Sequence, residues 1–342
     1  MKAAVIGGGG WGTALSLLLA KNGHEVRLWV YEKDLAERMR RDRVNDIFLP
    51  GVSIPPGVTI TDDLGAATAA AELLLFATPS HALRETASKL ARGDAASLAS
   101  VRLVVIATKG LEAKTHHRMS EVLDEALPDP LCDHPVILAG PSHAEEVARG
   151  IPTAVVAACS DRTRAEAAQE AFSNEAFRVY TNDDVLGVEI AVALKNVVAI
   201  AAGISDGLGF GDSTKGALLT RGLAEMARLG EALGASPETF AGLAGMGDLI
   251  ATATSRHSRN RRLGEAIGRG STLEAALAAS PMVAEGVGTT QEAVELGFRL
   301  GVEMPIAEQV RAILFEGKSA RVAMRELLTR DLKPEARTVS RR

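Results

Sequence analysis

The chain has 342 residues, 46% of them hydrophobic and 24% charged, with a formal net charge of −5. That length favours two domains over one, and the negative balance excludes a protein that binds polyanions over its whole surface, so any anion site has to be a local basic cluster. Aromatic residues are only 4%, which leaves the core to Ala, Val, Leu and Ile.

Met1 to Ile6 reads as a short buried strand that runs into Gly7-Gly8-Gly9-Gly10-Trp11-Gly12 and then into Thr13–Ala20, of helical character. G-x-G-x-x-G lies at Gly7, Gly9 and Gly12. Gly7 serves the tight turn, Gly9 leaves room for backbone N–H groups to approach a pyrophosphate, and Gly12 allows the helix to pack close to the sheet. The helix N-terminus then turns its partial positive charge towards the phosphates. Glu32, at the end of the next apolar run, is the acidic residue this motif requires. Lys2 followed by Ala14–Ala20 imitates a signal peptide, but four glycines interrupt it and a β-α unit explains the same residues.

Further along, Glu25–Tyr31 predicts a strand, Lys33–Arg43 a charged amphipathic stretch, Phe48–Gly51 a loop and Val58–Ile60 a short strand. Leu73–Ala77 is a buried strand closed by Thr78-Pro79, with Ser80 available to cap a helix reaching Leu90. Val101–Ala107 and Val136–Ala139 are two more, closed by Thr108-Lys109-Gly110 and Gly140-Pro141-Ser142. Thr153–Ala158 and Phe177–Thr181 follow, with a helix over Asp161–Phe172 between them. This alternation predicts a mostly parallel, doubly wound sheet of Rossmann type with both faces covered. Ligands bind at the carboxyl ends of such strands, where Lys109 and Ser142 lie. A lysine in a turn is equally natural as a solvated residue.

After Tyr180 strand signals stop. Helical stretches are expected over 188–202, 215–233, 261–268, 273–278, 291–300, 306–316 and 320–328. The expected division is therefore a dinucleotide-binding domain over 1–182, an all-α substrate and catalytic domain over 183–332, and a polar tail over 333–342. No run reaches the roughly 18 apolar residues of a membrane span; Thr181–Gly203 comes nearest, interrupted by Glu189 and Lys195. Cys132 and Cys159 form neither C-x-x-C nor a metal-ligand spacing, which suits a reduced, cytoplasmic setting. The seven histidines form no metal set.

Lys195 stands in the middle of the apolar run Ile190–Ile200. A helix apolar all round is a buried one. Burial lowers an ammonium pKa unless a carboxylate compensates, and a lysine so poised can exchange a proton near neutral pH. The competing reading is a lysine whose head snorkels to solvent. Asn196 adjoins it and could bond a substrate or the helix end. Asp248, in the glycine-bracketed loop Gly245–Leu249, is the candidate carboxylate partner, and a helix N-cap is the other natural reading of it. Arg256–Arg262 holds four arginines in seven residues. Bidentate guanidinium groups at a helix start suit a substrate phosphate; a nucleic-acid patch and a solvated face are the other readings. Net acidity and the lack of interleaved aromatics weigh against nucleic acid.

Together these motifs resemble the bacterial NAD(P)-dependent glycerol-3-phosphate dehydrogenase family over nearly the whole chain. The resemblance rests on 7–15 (GGGGWGTAL), 43–50 (RVNDIFLP), 107–111 (ATKGL), 139–144 (AGPSHA), 194–202 (LKNVVAIAA), 220–230 (TRGLAEMARLG), 244–249 (AGMGDL), 258–262 (SRNRR) and 283–286 (VAEG). It implies reversible reduction of dihydroxyacetone phosphate to sn-glycerol 3-phosphate with NADPH or NADH, feeding phospholipid synthesis. By family pattern Gly10 and Trp11 contact the dinucleotide, and Lys109 lies between cofactor and substrate. Gly140 and Ser142 line the substrate pocket, and Ala144 meets the cofactor. Lys195 is the proton donor and acceptor. Asp248, Ser258, Arg259 and Asn260 surround the substrate, Arg259 also nears the cofactor, and Val283 and Glu285 complete the dinucleotide site. No membrane insertion is implied, and a homodimer is a family-level expectation.

One position departs from the pattern. Many relatives carry a basic residue after the second strand to meet a 2′-phosphate; here Tyr31 stands there, followed by Glu32, which suits a 2′-hydroxyl. Lys33, Arg38 and Arg41 are the nearby cations that could compensate. Two other functions fit the same architecture: a reductase of a β-hydroxy or keto acid, and a non-catalytic dinucleotide sensor. The first would carry a carboxylate in place of phosphate; the second would need neither a buried Lys195 nor the basic loop.

Overall fold

The computed structural model describes residues 1–342 except 94–97, 129, 130, 132, 281, 333 and 336–342. Cys132 and almost all of the expected tail thus lie outside the described residues.

The first half begins β1 (Lys2–Ile6), α1 (Gly10–Lys21), β2 (Glu25–Trp29), α2 (Lys33–Asp42), then the hairpin β3 (Val44–Asn45) and β4 (Leu49–Ser53). It continues β5 (Val58–Thr61), α3 (Leu64–Thr68), β6 (Leu73–Phe76), α4 (Ser80–Ala91), β7 (Leu103–Ile106) and α5 (Met119–Ala126). It closes with β8 (Val136–Ala139), α6 (Ala144–Val147), β9 (Thr153–Ala158), α7 (Arg162–Phe172) and β10 (Phe177–Asn182). Eight strands form one sheet in the order β10-β9-β8-β7-β6-β1-β2-β5. The strands are near-continuous runs of Val, Ile, Leu and Ala because both faces are buried. All neighbours are parallel except β8 and β9. The segment 140–152 between those two returns at the same end of the sheet, so β9 and β10 run against the rest.

From β1 the chain moves outward to β2 and β5, then crosses back to β6 on the other flank of β1. The reversal leaves a crevice at the carboxyl ends of β1 and β6, where open α/β sheets take their ligands.

The second half is helical: α8 (Val185–Gly207), α9 (Asp212–Leu233), α10 (Pro237–Ala241), a π-turn (Leu243–Gly247), α11 (Asp248–Thr254), α12 (Arg259–Gly268), α13 (Leu273–Ala278), α14 (Gly286–Leu300), α15 (Pro305–Phe315) and α16 (Ala320–Leu328). The axis of this half is α8, which is long and apolar enough to cross a membrane but is 89% buried within the protein over its most apolar window. Val188 and Val192 of α8 pack into the core beneath the sheet, while Leu194, Val197 and Ile200 join the helical core. Glu189, buried on the same helix, accepts from the Ser120 N–H at 2.9 Å, the Ser120 hydroxyl at 2.6 Å and Arg118 at 2.8 Å. The charge that interrupts the apolar run thereby pins α5 to α8.

Three local expectations are corrected. Leu49–Gly51 belongs to β4, paired antiparallel with β3; buried Leu49 and a short edge ladder outweigh the turn signal of Pro50-Gly51. Ser80 is the first helical residue of α4, with Pro79 at the cap position, so its hydroxyl is free for another partner. Asp248 sits neither in a loop nor at an N-cap: it follows the π-turn as the first residue of α11.

Candidate active site

The glycine turn occupies the crevice. Gly7 has φ +125°, and a Cβ there would meet the Ala77 carbonyl oxygen at 2.7 Å. A Cβ on Gly12 would run into the Gly7 carbonyl, so α1 can sit on β1 only without one. Gly9 differs: a Cβ there meets nothing within 4 Å in the protein, and it faces the cleft. The space it keeps open is of use to a ligand. No side chain caps α1, so its first N–H groups remain available to an anion. The Trp11 indole N–H is buried without a partner among the described residues. A backbone cradle with an orphan donor beside it fits the pyrophosphate and neighbouring polar groups of a dinucleotide.

Asn45 holds this turn in place. Its amide donates to the Gly8 carbonyl at 2.8 Å and to Thr13 Oγ1 at 2.9 Å, and its oxygen accepts from the Phe48 N–H at 3.0 Å. Sequence reasoning passed over Asn45, although it stands inside the 43–50 segment that carries the resemblance. Phe48 lines the cleft.

The cleft has a volume of about 570 Å³. Gly7, Gly9, Gly10, Trp11, Tyr31, Glu32, Lys109, Ser142 and Ala144 line it from the sheet side; Lys195, Asn196, Ser258, Arg259, Asn260, Val283 and Glu285 line it from the helical side. Gly12, Gly140 and Asp248 stand behind its wall. The Gly140 carbonyl accepts from Lys109 Nζ at 3.5 Å and from the Ser142 hydroxyl at 3.2 Å.

At the centre are two ammonium groups on one carboxylate. Asp248 Oδ1 accepts from Lys195, and Oδ2 from Lys109 at 3.0 Å. Lys195 also donates to Thr252 Oγ1 at 2.7 Å. Thr252 lies one helical turn after Asp248, at 3.1 Å from Oδ1; the i, i+4 spacing of Asp248 and Thr252 was the signal that could have found it. A lysine has three N–H donors, so two are spent on the protein and one remains for the cleft. Burial lowers the Lys195 pKa to about 7, Asp248 opposing and Lys109 adding to the fall. Burial alone would raise the Asp248 pKa, but Lys109 and Lys195 outweigh it and hold the carboxyl below its ordinary value. The candidate partner is thus ionised and shared.

Next to this centre the Asn260 amide donates to Asn196 Oδ1 at 2.9 Å while its oxygen accepts from the Gly286 N–H at 3.0 Å. Ser258 caps α12, accepting from the Arg261 N–H at 3.2 Å. The basic run therefore divides. Arg259 borders the cleft with its side chain exposed to it; the carboxylates of Glu285 and Glu145 favour its charge, and a guanidinium stays charged. Arg261 is turned away onto Asp206 at 2.7 Å. Arg256 and Arg262, exposed like Arg259, do not line the cleft. Glu285 accepts from the Ser80 hydroxyl at 2.5 Å and its N–H at 3.3 Å, tying the start of α4 to the entry of α14. His143 also lines the cleft; burial lowers its pKa, and its Nε2 lies 3.3 Å from the Ala251 carbonyl.

A nucleotide cradle faces a buried lysine and, at the cleft's edge, Arg259. The family described as NAD-dependent glycerol-3-phosphate dehydrogenase N-terminus matches residues 2–165, and its C-terminus counterpart matches 184–325. The chain belongs to the NAD-dependent glycerol-3-phosphate dehydrogenase family. A glycerol-3-phosphate dehydrogenase [NAD(P)+] of Citrifermentans bemidjiense is 51% identical over 334 residues, covering 98% of each chain. The crystal structure of a glycerol-3-phosphate dehydrogenase from Coxiella burnetii superposes with a TM-score of 0.89 at 38% identity, over 96% of this chain and 99% of that one. A ketopantoate reductase from Ralstonia eutropha reaches a TM-score of 0.59 at 18% identity, over 96% and 100%. That likeness is one of fold alone, whereas membership of the dehydrogenase family rests on sequence across the chain.

Proposed function

We propose that this dehydrogenase catalyses the reversible NAD(P)H-dependent reduction of dihydroxyacetone phosphate to sn-glycerol 3-phosphate. The observation that carries the reading is Lys195: a buried ammonium with a pKa near 7 and one N–H left for the cleft, opposite a dinucleotide cradle. When bound, the cofactor supplies the hydride in one direction and accepts it in the other. Lys195 gives a proton to the carbonyl oxygen in reduction and takes one from the hydroxyl in oxidation. A pKa near 7 makes both roles accessible at neutral pH. Asp248 holds Lys195 and Lys109 at a fixed separation, and Lys109 adds positive charge where negative charge develops on oxygen. Arg259, Asn260 and the N-terminal N–H groups of α12 hold the phosphate, so binding energy remote from the reacting carbon orients the carbonyl. Ser142, Asn196 and Ser258 border the same space. Gly7, Gly9, Gly10, Trp11, Ala144, Val283 and Glu285 serve the dinucleotide, with Tyr31 and Glu32 at its ribose.

In this reading residues 1–182 form the dinucleotide-binding domain and 183–332 the substrate and catalytic domain; the last strand ending at Asn182 and α8 beginning at Val185 support the division. A small phosphorylated substrate, a cytoplasmic setting and a homodimer complete it. The test is the initial rate of NADPH and NADH oxidation with dihydroxyacetone phosphate. Turnover is expected with at least one cofactor. Cofactor binding without turnover would overturn the reading and direct the search to carboxylate-bearing ketones.

A further inference from the structure

The charges around the carboxyl end of β2 are not used by the proposed chemistry. Tyr31 and Glu32 face the cleft there, where dinucleotide-binding sheets hold the adenosine ribose. Tyr31 is 66% exposed and packs edge-on to Trp29, with ring centres 6.0 Å apart. From the other flank of β1, α4 brings Glu85 and Lys89 to the same stretch of cleft, with His81 a turn earlier. Lys89 Nζ lies 2.6 Å from Glu85 Oε1 and 5.8 Å from the centre of the Tyr31 ring. The cations that could have compensated for Tyr31-Glu32 do not come here. Arg38 is held by Asp46 at 3.2 Å and Arg41 by Asp42 at 2.8 Å, and neither they nor Lys33 line the cleft. Among the described residues that line this stretch, the charges are therefore two carboxylates, Glu32 and Glu85, and one ammonium, Lys89; Arg92, just past the end of α4, is outside the lining but within Coulombic reach of both members of the pair.

We propose that the Glu85–Lys89 pair sets cofactor choice: Lys89 is the cation placed to meet a ribose 2′-phosphate, and Glu85 neutralises it, so that the site prefers NADH. The inference rests on the reading of the cleft as a nicotinamide dinucleotide site. A 2′-hydroxyl can donate to Glu32 and leaves the pair undisturbed. A 2′-phosphate meets Glu32 and Glu85 as like charges and gains attraction only by drawing Lys89 off Glu85. Exposed i, i+4 pairs are weak, so the withdrawal costs little and NADPH is disfavoured without being excluded. Neither residue belongs to the glycine motif or to the segment after β2, which is why the motif alone does not reveal the pair.

The experiment compares kcat/KM for NADPH and NADH in the native enzyme and in Glu85→Gln, Lys89→Gln and Lys89→Arg. Alongside, direct titration with AMP and adenosine 2′,5′-bisphosphate reads the same selectivity without turnover. The native enzyme is expected to favour NADH. Glu85→Gln should raise the NADPH:NADH ratio by about fivefold, the scale of one solvent-exposed unit charge at contact distance. Lys89→Gln should lower it by a similar factor, Lys89→Arg should keep it, and added salt should shrink the differences. Ratios that move in neither variant, or a native preference for NADPH, overturn the proposal. Selective nucleotide binding without turnover of dihydroxyacetone phosphate would overturn the functional reading and leave the proposal standing; no nucleotide binding at all would overturn both.

Discussion

The two sides of the cleft are built in different ways. The sheet side is backbone: six consecutive residues, Gly7 to Gly12, form a turn and the start of α1, their shape forced by contacts that admit no side chain at Gly7 or Gly12. The helical side is made of side chains gathered from far apart: Lys195 and Thr252 meet at the Asp248 carboxylate, and Lys109 reaches the same carboxylate from the sheet side. A backbone cradle is neutral, rigid and indifferent to pH. A buried cluster of two ammonium groups and one carboxylate is set by desolvation and mutual charge, and its protonation is adjustable. Binding of a common cofactor suits the first construction; proton transfer requires the second.

The comparison can be broken first at Lys195. Lys195→Met keeps the volume and removes the proton donor, so kcat should fall by about 10²–10⁴-fold while cofactor binding persists. A kcat within a factor of a few of native would remove Lys195 from the chemistry. On the sheet side, Gly12→Ala and Gly9→Ala should separate fold from ligand. The first forces a methyl into the Gly7 carbonyl and should cost about 1–3 kcal/mol of stability, read as a lower Tm. The second, with open space around it, should leave Tm in place and weaken the dinucleotide, read by titration. Equal effects of the two substitutions on Tm would contradict the distinction. The smallest effect is expected from Thr252→Val. Thr252 accepts from the charged form of Lys195 at 2.7 Å, so its loss should lower the Lys195 pKa by less than about one unit. The pH–rate curve should then move to the acid side, with a loss of several-fold in kcat, about 1 kcal/mol. A shift to the alkaline side would mean that Thr252 does not favour the ammonium.

This difference in construction also decided what the sequence could tell. The glycine turn was legible because every requirement lies within a dozen residues of β1. The sheet was legible because strands buried on both faces are written as unbroken apolar runs. The single antiparallel neighbour, β9, was not, since direction depends on where the 140–152 segment returns and leaves no mark on the strand itself. Lys195 was legible as a charge in an apolar helix. Its pairing with Asp248 could be guessed from chemistry, but the sharing of that carboxylate with Lys109 brings together residues 139 positions apart, which no local pattern records. The basic run Arg256–Arg262 reads as a single feature in the sequence. In the fold, two positions along α12, about 200° of rotation, separate Arg259 at the cleft from Arg261 on Asp206.

The central claim is that Lys195 carries the proton in both directions, with a pKa of about 7 in the protein, and the pH dependence of kcat/KM tests it most directly. Ketone reduction needs the ammonium, so its rate should hold below pH 7 and fall as the pH rises through that value. Alcohol oxidation needs the free amine, so its rate should rise through the same pH and level off above it. Opposite limbs that share an inflection near pH 7 are the result this account predicts. Limbs of the same sign, or no inflection near neutrality in either direction, would contradict it.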